Sequence, residues 1–223
     1  MRNNEFAIAR GQESALSTNK VLRQTYMLLS MTLLFSGLTA GVSMAINPPI
    51  GVSMIASLVS LGLLWFVVPR TANSAAGIWV VFLVTGLLGF GLGPILNHYA
   101  ALPNGGQLVM TALGGTGVVF LGLSGYALTT RKDFSFMAGF IFTGVLVAFI
   151  AGIAAMIFNI PALSLGVSAM FIMLMSGYIL YQTSEIIHGG ETNYILATIG
   201  LYVAIYNIFT SLLHLLGAFG GND

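Results

Sequence analysis

Cysteine is absent from this 223-residue chain, and charge nearly so: 7 Lys and Arg against 6 Asp and Glu, 6% of all residues. Without cysteine there is no disulfide framework, no thiolate metal site and no thiol nucleophile. Soluble domains carry roughly 25% charged residues, so the few charges here cannot cover a 23.5 kDa globule. The formal net charge of +1 excludes nucleic acid as a partner. No basic patch outside the amino-terminal segment is large enough to neutralise several phosphates. What is present is apolar, 57% of residues with a mean hydropathy of +0.95. The chain reads as an integral membrane protein.

A helix needs about 20 apolar residues to cross a hydrocarbon core of ~30 Å. Seven stretches qualify: Gln24–Ile46, Gly51–Val68, Ile78–His98, Gln107–Thr129, Phe136–Phe158, Ser164–Gln182 and Leu196–Phe219. Breaker clusters separate them, among them Asn47-Pro48-Pro49, Pro69 to Ser74, Leu102 to Gly106, Asn159-Ile160-Pro161 and Ser184 to Asn193. A β-barrel is excluded, because its strands alternate and run only ~10 residues. The first stretch is read as an uncleaved span: its apolar run is longer than a signal-peptide core of about 7–15 residues.

Lys and Arg set the direction. Arg2, Arg10, Lys20 and Arg23 precede span 1, Arg70 follows span 2, and Arg131 and Lys132 follow span 4. All seven therefore fall on one side. The expected fold is an all-α bundle of seven transmembrane helices, amino terminus inside and carboxyl terminus outside. Its parts are a polar tail over residues 1–23, a membrane domain over 24–219 and a short tail over 220–223.

Most of the 28 glycines lie inside spans. Gly37/Gly41, Gly89/Gly93 and the ladder Gly144, Ala148, Gly152 have the spacing of close helix packing, the usual substitute for a hydrophobic drive in lipid. Gly114-Gly115-Thr116-Gly117 lacks the Lys-Ser/Thr of a nucleotide loop. The three histidines, His98, His188 and His214, are isolated and suggest no metal site. Gly122-Leu123-Ser124-Gly125 matches the GxSG pattern of rhomboid proteases. Ser124, however, lies near the inner end of span 4, and His98 and His214 lie near the outer ends of theirs. The depth difference is roughly 20 Å, and a nucleophile and base must come within about 3 Å. The remaining polar cluster, Tyr181 to Tyr194, joins spans 6 and 7. Glu185 becomes a candidate for ion chemistry if span 6 continues as helix past Gln182.

Thr129-Thr130-Arg131-Lys132-Asp133-Phe134-Ser135-Phe136 resembles the transmembrane Bax inhibitor motif family. So do Gly93-Pro94-Ile95-Leu96, the stretch Tyr181 through Gly189-Gly190 to Leu201-Tyr202, and Asn207-Ile208-Phe209. The resemblance covers essentially the whole chain. Its bacterial branch, with Leu22-Arg23-Gln24-Thr25-Tyr26 and Ile186 to Ile195 as the nearest matches, is one of inner-membrane modulators of the FtsH protease. The resemblance implies a multi-pass protein of the bacterial inner membrane, with a cytoplasmic amino terminus and a periplasmic carboxyl terminus.

Two functions follow from the resemblance. Calcium-leak members carry an aspartate pair that shares protons, and the matching positions here are Gln182 and Ala204. That leaves Glu185 as a partial stand-in, with Asn207 on span 7 as a further candidate, at a gate for calcium or another cation. The modulator reading needs no catalytic residue and no cofactor. It needs an FtsH-type protease complex and the bilayer as partners, and an unstructured handle for the protease to grip. Met1–Asn19, including Arg2 and Arg10, is polar, without a sustained apolar stripe, and on the inner side. The modulator is the expected function, and the cation leak the alternative.

Overall fold

The computed structural model describes the backbone of residues 2–220 and the side chains of residues 19–220. Met1 and the end of the carboxyl tail (221–223) lie outside the described residues. Seven helices are long and apolar enough to cross a membrane, and no strand occurs among the described residues. They are α1 (Arg2–Ile46), α2 (Ile50–Thr71), α3 (Ala76–Ala100), α4 (Gly105–Thr130), α5 (Ala138–Ile157), α6 (Pro161–His188) and α7 (Tyr194–Gly220). A 3₁₀ turn, Ser135–Met137, leads into α5. Within α2 a π turn over Leu63–Val67 precedes Pro69. Proline has no N–H to give the preceding turn and its ring crowds the carbonyl there, and a widened turn relieves both.

Two boundaries differ from the sequence expectation. The segment read as an unstructured handle is helical in backbone, because α1 begins at Arg2. Residues 2–18 hold no proline and include Ala, Glu, Gln and Arg, good helix formers that continue directly into the span. The sixth span, expected to end at Gln182, runs six residues further to His188. It stops at Gly189, which takes the left-handed conformation (φ 78°) that a glycine accepts without strain.

α7 and α3 form the centre. In the most apolar 18-residue stretch of each, 56% and 50% of residues are buried, against 11% for α2 and 17% for α5. α7 packs on α6, α4, α1 and α3, whereas α2 leans on α3 and α5 on α6. The core runs through Leu29, Val81, Val84, Ile179, Leu201, Tyr202 and Ile208. Mid-bundle, Tyr202 Oη donates to Thr85 O (3.2 Å) and accepts from Ser36 Oγ (2.6 Å), joining α7, α3 and α1 without leaving a hydroxyl bare in an apolar core.

Glycine spacing proves half right as a guide to contacts. A Cβ at Gly89 would strike Ser36 O, and one at Gly93 would strike Ser43, so α3 does approach α1 through these positions. The facing stripe on α1 is Ser36, Thr39 and Ser43, however, and Gly37 and Gly41 meet nothing within 4 Å. The Gly144 ladder faces α6, with Gly144 against Leu174 and Gly152 against Val167.

Candidate functional site

A cluster of polar residues gathers at one end of the bundle, around the carboxyl end of α6 and the turn into α7. Helix α6 stays regular past Gln182 because its polar residues there find partners on other elements. Thr183 and Ser184 are fully buried. Thr183 Oγ1 lies 3.4 Å from Ser124 Oγ of α4 and 3.5 Å from Tyr26 Oη of α1. Tyr26 and Ser124 also bond directly. Ser184 Oγ accepts from Phe134 N (3.0 Å) and donates to Lys132 O (3.2 Å), so it holds both sides of the α4–α5 loop. His188 adds Nε2 against Arg131 O at 3.1 Å.

Asn193 does the same for a second loop. Its Nδ2 donates to Ala72 O (3.0 Å) and Asn73 Oδ1 (2.8 Å) between α2 and α3. Its Oδ1 caps α7 by accepting from Ile195 N (2.9 Å) and Leu196 N (3.2 Å), an N-cap that satisfies two otherwise orphaned amides. Glu191 Oε1 in turn accepts from Asn193 N (2.7 Å). Thr198 of α7 reaches Thr25 O of α1 at 3.3 Å. The α6–α7 turn is thus the hub of this end, tied to α1 and to both neighbouring loops. Lys20, Arg23, Arg70, Arg131 and Lys132 lie on these same segments, so the basic residues with described side chains share one end. In the loop itself, Asp133 is held below the usual carboxylate range. The cause is chiefly the Ser135 backbone N–H, with a smaller pull from His188.

The residues expected to form a gate do not assemble. Gln182 is buried and its Oε1 accepts from Tyr178 Oη (3.0 Å), one turn back on the same helix. Glu185 does lie on α6, as a longer span requires, and is half-buried. Its carboxylate folds onto Gly190, where an added Cβ would collide with Oε2. Ala204 is fully buried in the apolar core with Leu174, Met175 and Ile179. Asn207 donates from Nδ2 to Val203 O of its own helix (2.8 Å). Of the tail, Met1 and the side chains of Arg2 and Arg10 lie outside the described residues, and Asn19 is exposed on α1.

An apolar groove of about 640 Å³ opens between α2 and α5, with Trp65 and Phe142 on its rims and Tyr178, Gly200 and Val203 at its floor. Tyr178 Oη rests against Gly200, which sets how closely α6 and α7 approach there.

Ser124 and His214 do not meet. Ser124 bonds Tyr26 and Thr183 at one end of α6, while His214 Nδ1 bonds Ser168 Oγ (2.8 Å) at the other. Thr183 and Ser168 are fifteen residues apart on one helix, about 22 Å along its axis.

Sequence reasoning missed Ser184, His188 and Asn193. Two signals pointed to them: Ser and His four apart just before Gly-Gly, and Asn placed as an N-cap before an apolar run. These residues, with Arg131 to Phe134, are the motif segments that carried the family resemblance, and the structure gives them a mechanical role.

Comparison with known proteins agrees with that resemblance. The family model described as Inhibitor of apoptosis-promoting Bax1 matches residues 18–221. The chain is 52% identical over 204 residues, 92% of each chain, to the modulator of FtsH protease YccA of Escherichia coli K12. It is 46% identical to an uncharacterized membrane protein of Vibrio cholerae over 98% of each chain. A Pseudomonas aeruginosa protein is 46% identical over 100% of each. The chain belongs to the Bax inhibitor family, as a seven-helix membrane protein.

Proposed function

We propose that this protein is a non-catalytic regulator in the bacterial inner membrane that binds the membrane-anchored, ATP-dependent protease FtsH and slows degradation of its membrane substrates. The observation that carries the reading is the 52% identity, over 92% of both chains, with a relative named for that activity. A homologous strain's copy is named an inner membrane protein. The hub end faces the cytoplasm in this reading, with the amino terminus on that side and the carboxyl terminus periplasmic, because all seven basic residues sit there.

The mechanism uses the fold. The protease grips the amino-terminal extension, which as part of α1 passes force straight into the bundle. α1 is packed on α3, α6 and α7, and its Tyr26 is bonded to α4 and its Thr25 and Ser36 to α7. Extraction must break these ties together, so the protease stays occupied. Deletion of residues 2–18 tests this: a reporter membrane substrate of FtsH, stabilised when the full chain is co-expressed, should return to its unprotected half-life. An undiminished protective effect from the truncated chain would rule out the tail as the handle.

The alternative, a pH-sensitive calcium or cation leak, ranks second. The family positions for its aspartate pair hold Gln182 and Ala204, the first bonded to Tyr178 and the second buried in apolar core. Glu185→Gln should abolish pH-dependent calcium flux in liposomes if that reading holds.

A further inference from the structure

The groove between α2 and α5 is apolar along its length and charged at one mouth. Its lining runs from Pro69, Ala138 and Tyr181, near the basic end of the bundle, to Leu64, Val145 and Met175. Tyr181 and Met175 are six residues apart on α6, and Ala138 and Val145 seven apart on α5, about 10 Å along either helix. Half of a ~30 Å hydrocarbon core is ~15 Å, so the groove lies within one leaflet, the one on the basic side. A bilayer-spanning helix seated there would be held over only about two turns. An acyl chain of that leaflet matches both the length and the apolar walls, and the volume of about 640 Å³ falls in the ~300–1,000 Å³ range of ligand sites.

The mouth is acidic on the α6–α7 side. Glu185 stands one turn beyond Tyr181 on α6, Glu191 stands in the following turn, and both are half-buried. The Glu185 carboxylate lies over Gly190, and Glu191 Oε1 accepts from Asn193 N. Both carboxylates act electrostatically on Tyr181, and Glu191 acts also on Tyr178 at the floor of the groove. No Lys or Arg occurs between Gln182 and Tyr194 to neutralise them. Two like charges beside an apolar wall concentrate the field and draw a cation. On the α2 side Arg70 follows Pro69. Its guanidinium donates to Phe66 O, and most of its N–H groups remain for an anion. The mouth therefore offers a place for a cation and a place for an anion above an apolar slot.

We propose that this groove binds one phospholipid of the basic-side leaflet with a primary ammonium headgroup, phosphatidylethanolamine in kind. An acyl chain lies in the groove, the ammonium meets Glu185 and Glu191, and the phosphate meets Arg70. The site goes beyond the protease reading and does not depend on it.

Trp65, on the rim and 77% exposed, is one of two tryptophans in the chain and reports on the groove directly. The full chain carrying Trp79→Phe, so that Trp65 alone emits, is reconstituted in phosphatidylglycerol vesicles. A minor share of the lipid is brominated on its acyl chains, which quench tryptophan on contact. Brominated phosphatidylethanolamine should quench Trp65 at about fivefold lower mole fraction than brominated phosphatidylglycerol, the scale of one ion pair at a wet surface. Adding Glu185→Gln and Glu191→Gln together should remove this preference. Arg70→Gln should keep it, because both lipids carry the phosphate. A competition that needs no further variant checks the result: unbrominated phosphatidylethanolamine should relieve the quenching by its brominated form beyond simple dilution. Equal quenching by the two brominated lipids overturns the proposal and leaves the groove to unselected lipid or to a partner's helix. A preference that survives loss of both carboxylates overturns it as well.

Discussion

At the basic end of the bundle the α6–α7 turn holds the α2–α3 loop through Asn193 and the α4–α5 loop through Ser184 and His188. At the opposite end the α1–α2 and α3–α4 hairpins meet through Asn97, whose Nδ2 donates to Met44 O (3.0 Å) and Asn47 Oδ1 (3.1 Å). Ser168 and His214 link α6 to α7 there. Asn47 and Asn159 make their own turns in the left-handed conformation that asparagine tolerates. Load applied at the basic end therefore passes through the α6–α7 turn to both neighbouring loops, whereas at the other end Asn97 joins two hairpins and Ser168 and His214 join α6 to α7 separately. In the proposed role, a pull on the amino terminus begins at the cross-braced end.

Substitutions that cut these ties should separate the two ends. Asn193→Ala removes an N-cap, worth about 1 kcal/mol, and the bonds to Ala72 O and Asn73, each worth about 1 kcal/mol. The expected loss is about 3 kcal/mol, measured as thermal unfolding of the detergent-solubilised chain. Ser184→Ala leaves a loop N–H and a carbonyl without their partner at a fully buried position, and should cost about 2 kcal/mol. At the opposite end, Asn97→Ala loses two bonds and no cap, and should cost about 2 kcal/mol. If Asn97→Ala destabilises as much as Asn193→Ala, the two ends are equally braced and the contrast fails.

The smallest effect concerns pH. Asp133 has a depressed carboxyl pKa, so its ionised form stabilises the fold at and above the ordinary carboxylate range. That contribution is lost as pH falls through the depressed value. The wild type should therefore lose a little stability on acidification that Asp133→Asn does not lose. A variant with the same acid profile as the wild type would assign that loss to other groups.

Hydropathy and charge alone made the seven spans and their alternation legible, because each span is an apolar run between breakers and every basic residue falls at the same end. The hub was not legible, for a physical reason. Thr183, Ser184 and His188 look like loop to a hydropathy reading, yet they remain helical because their polar groups are satisfied by α1, α4 and the α4–α5 loop. Long-range partners of that kind leave no local signature. The glycine stripes show the same limit. The spacing of Gly89 and Gly93 marked a close approach correctly, but the surface of α1 that receives them is serine and threonine, one or two positions off Gly37 and Gly41. Glu185 was placed on a helix only on the condition that span 6 ran past Gln182, which it does, and its fold-back onto Gly190 depends on a turn that no periodicity encodes.

Co-purification from solubilised inner membranes bears most directly on the central claim. The full chain, tagged at its carboxyl end, should retain FtsH, and the chain lacking residues 2–18 should not. Failure of the full chain to retain FtsH, together with calcium flux at a level that Glu185→Gln abolishes, would contradict the regulator account and leave the cation leak in its place.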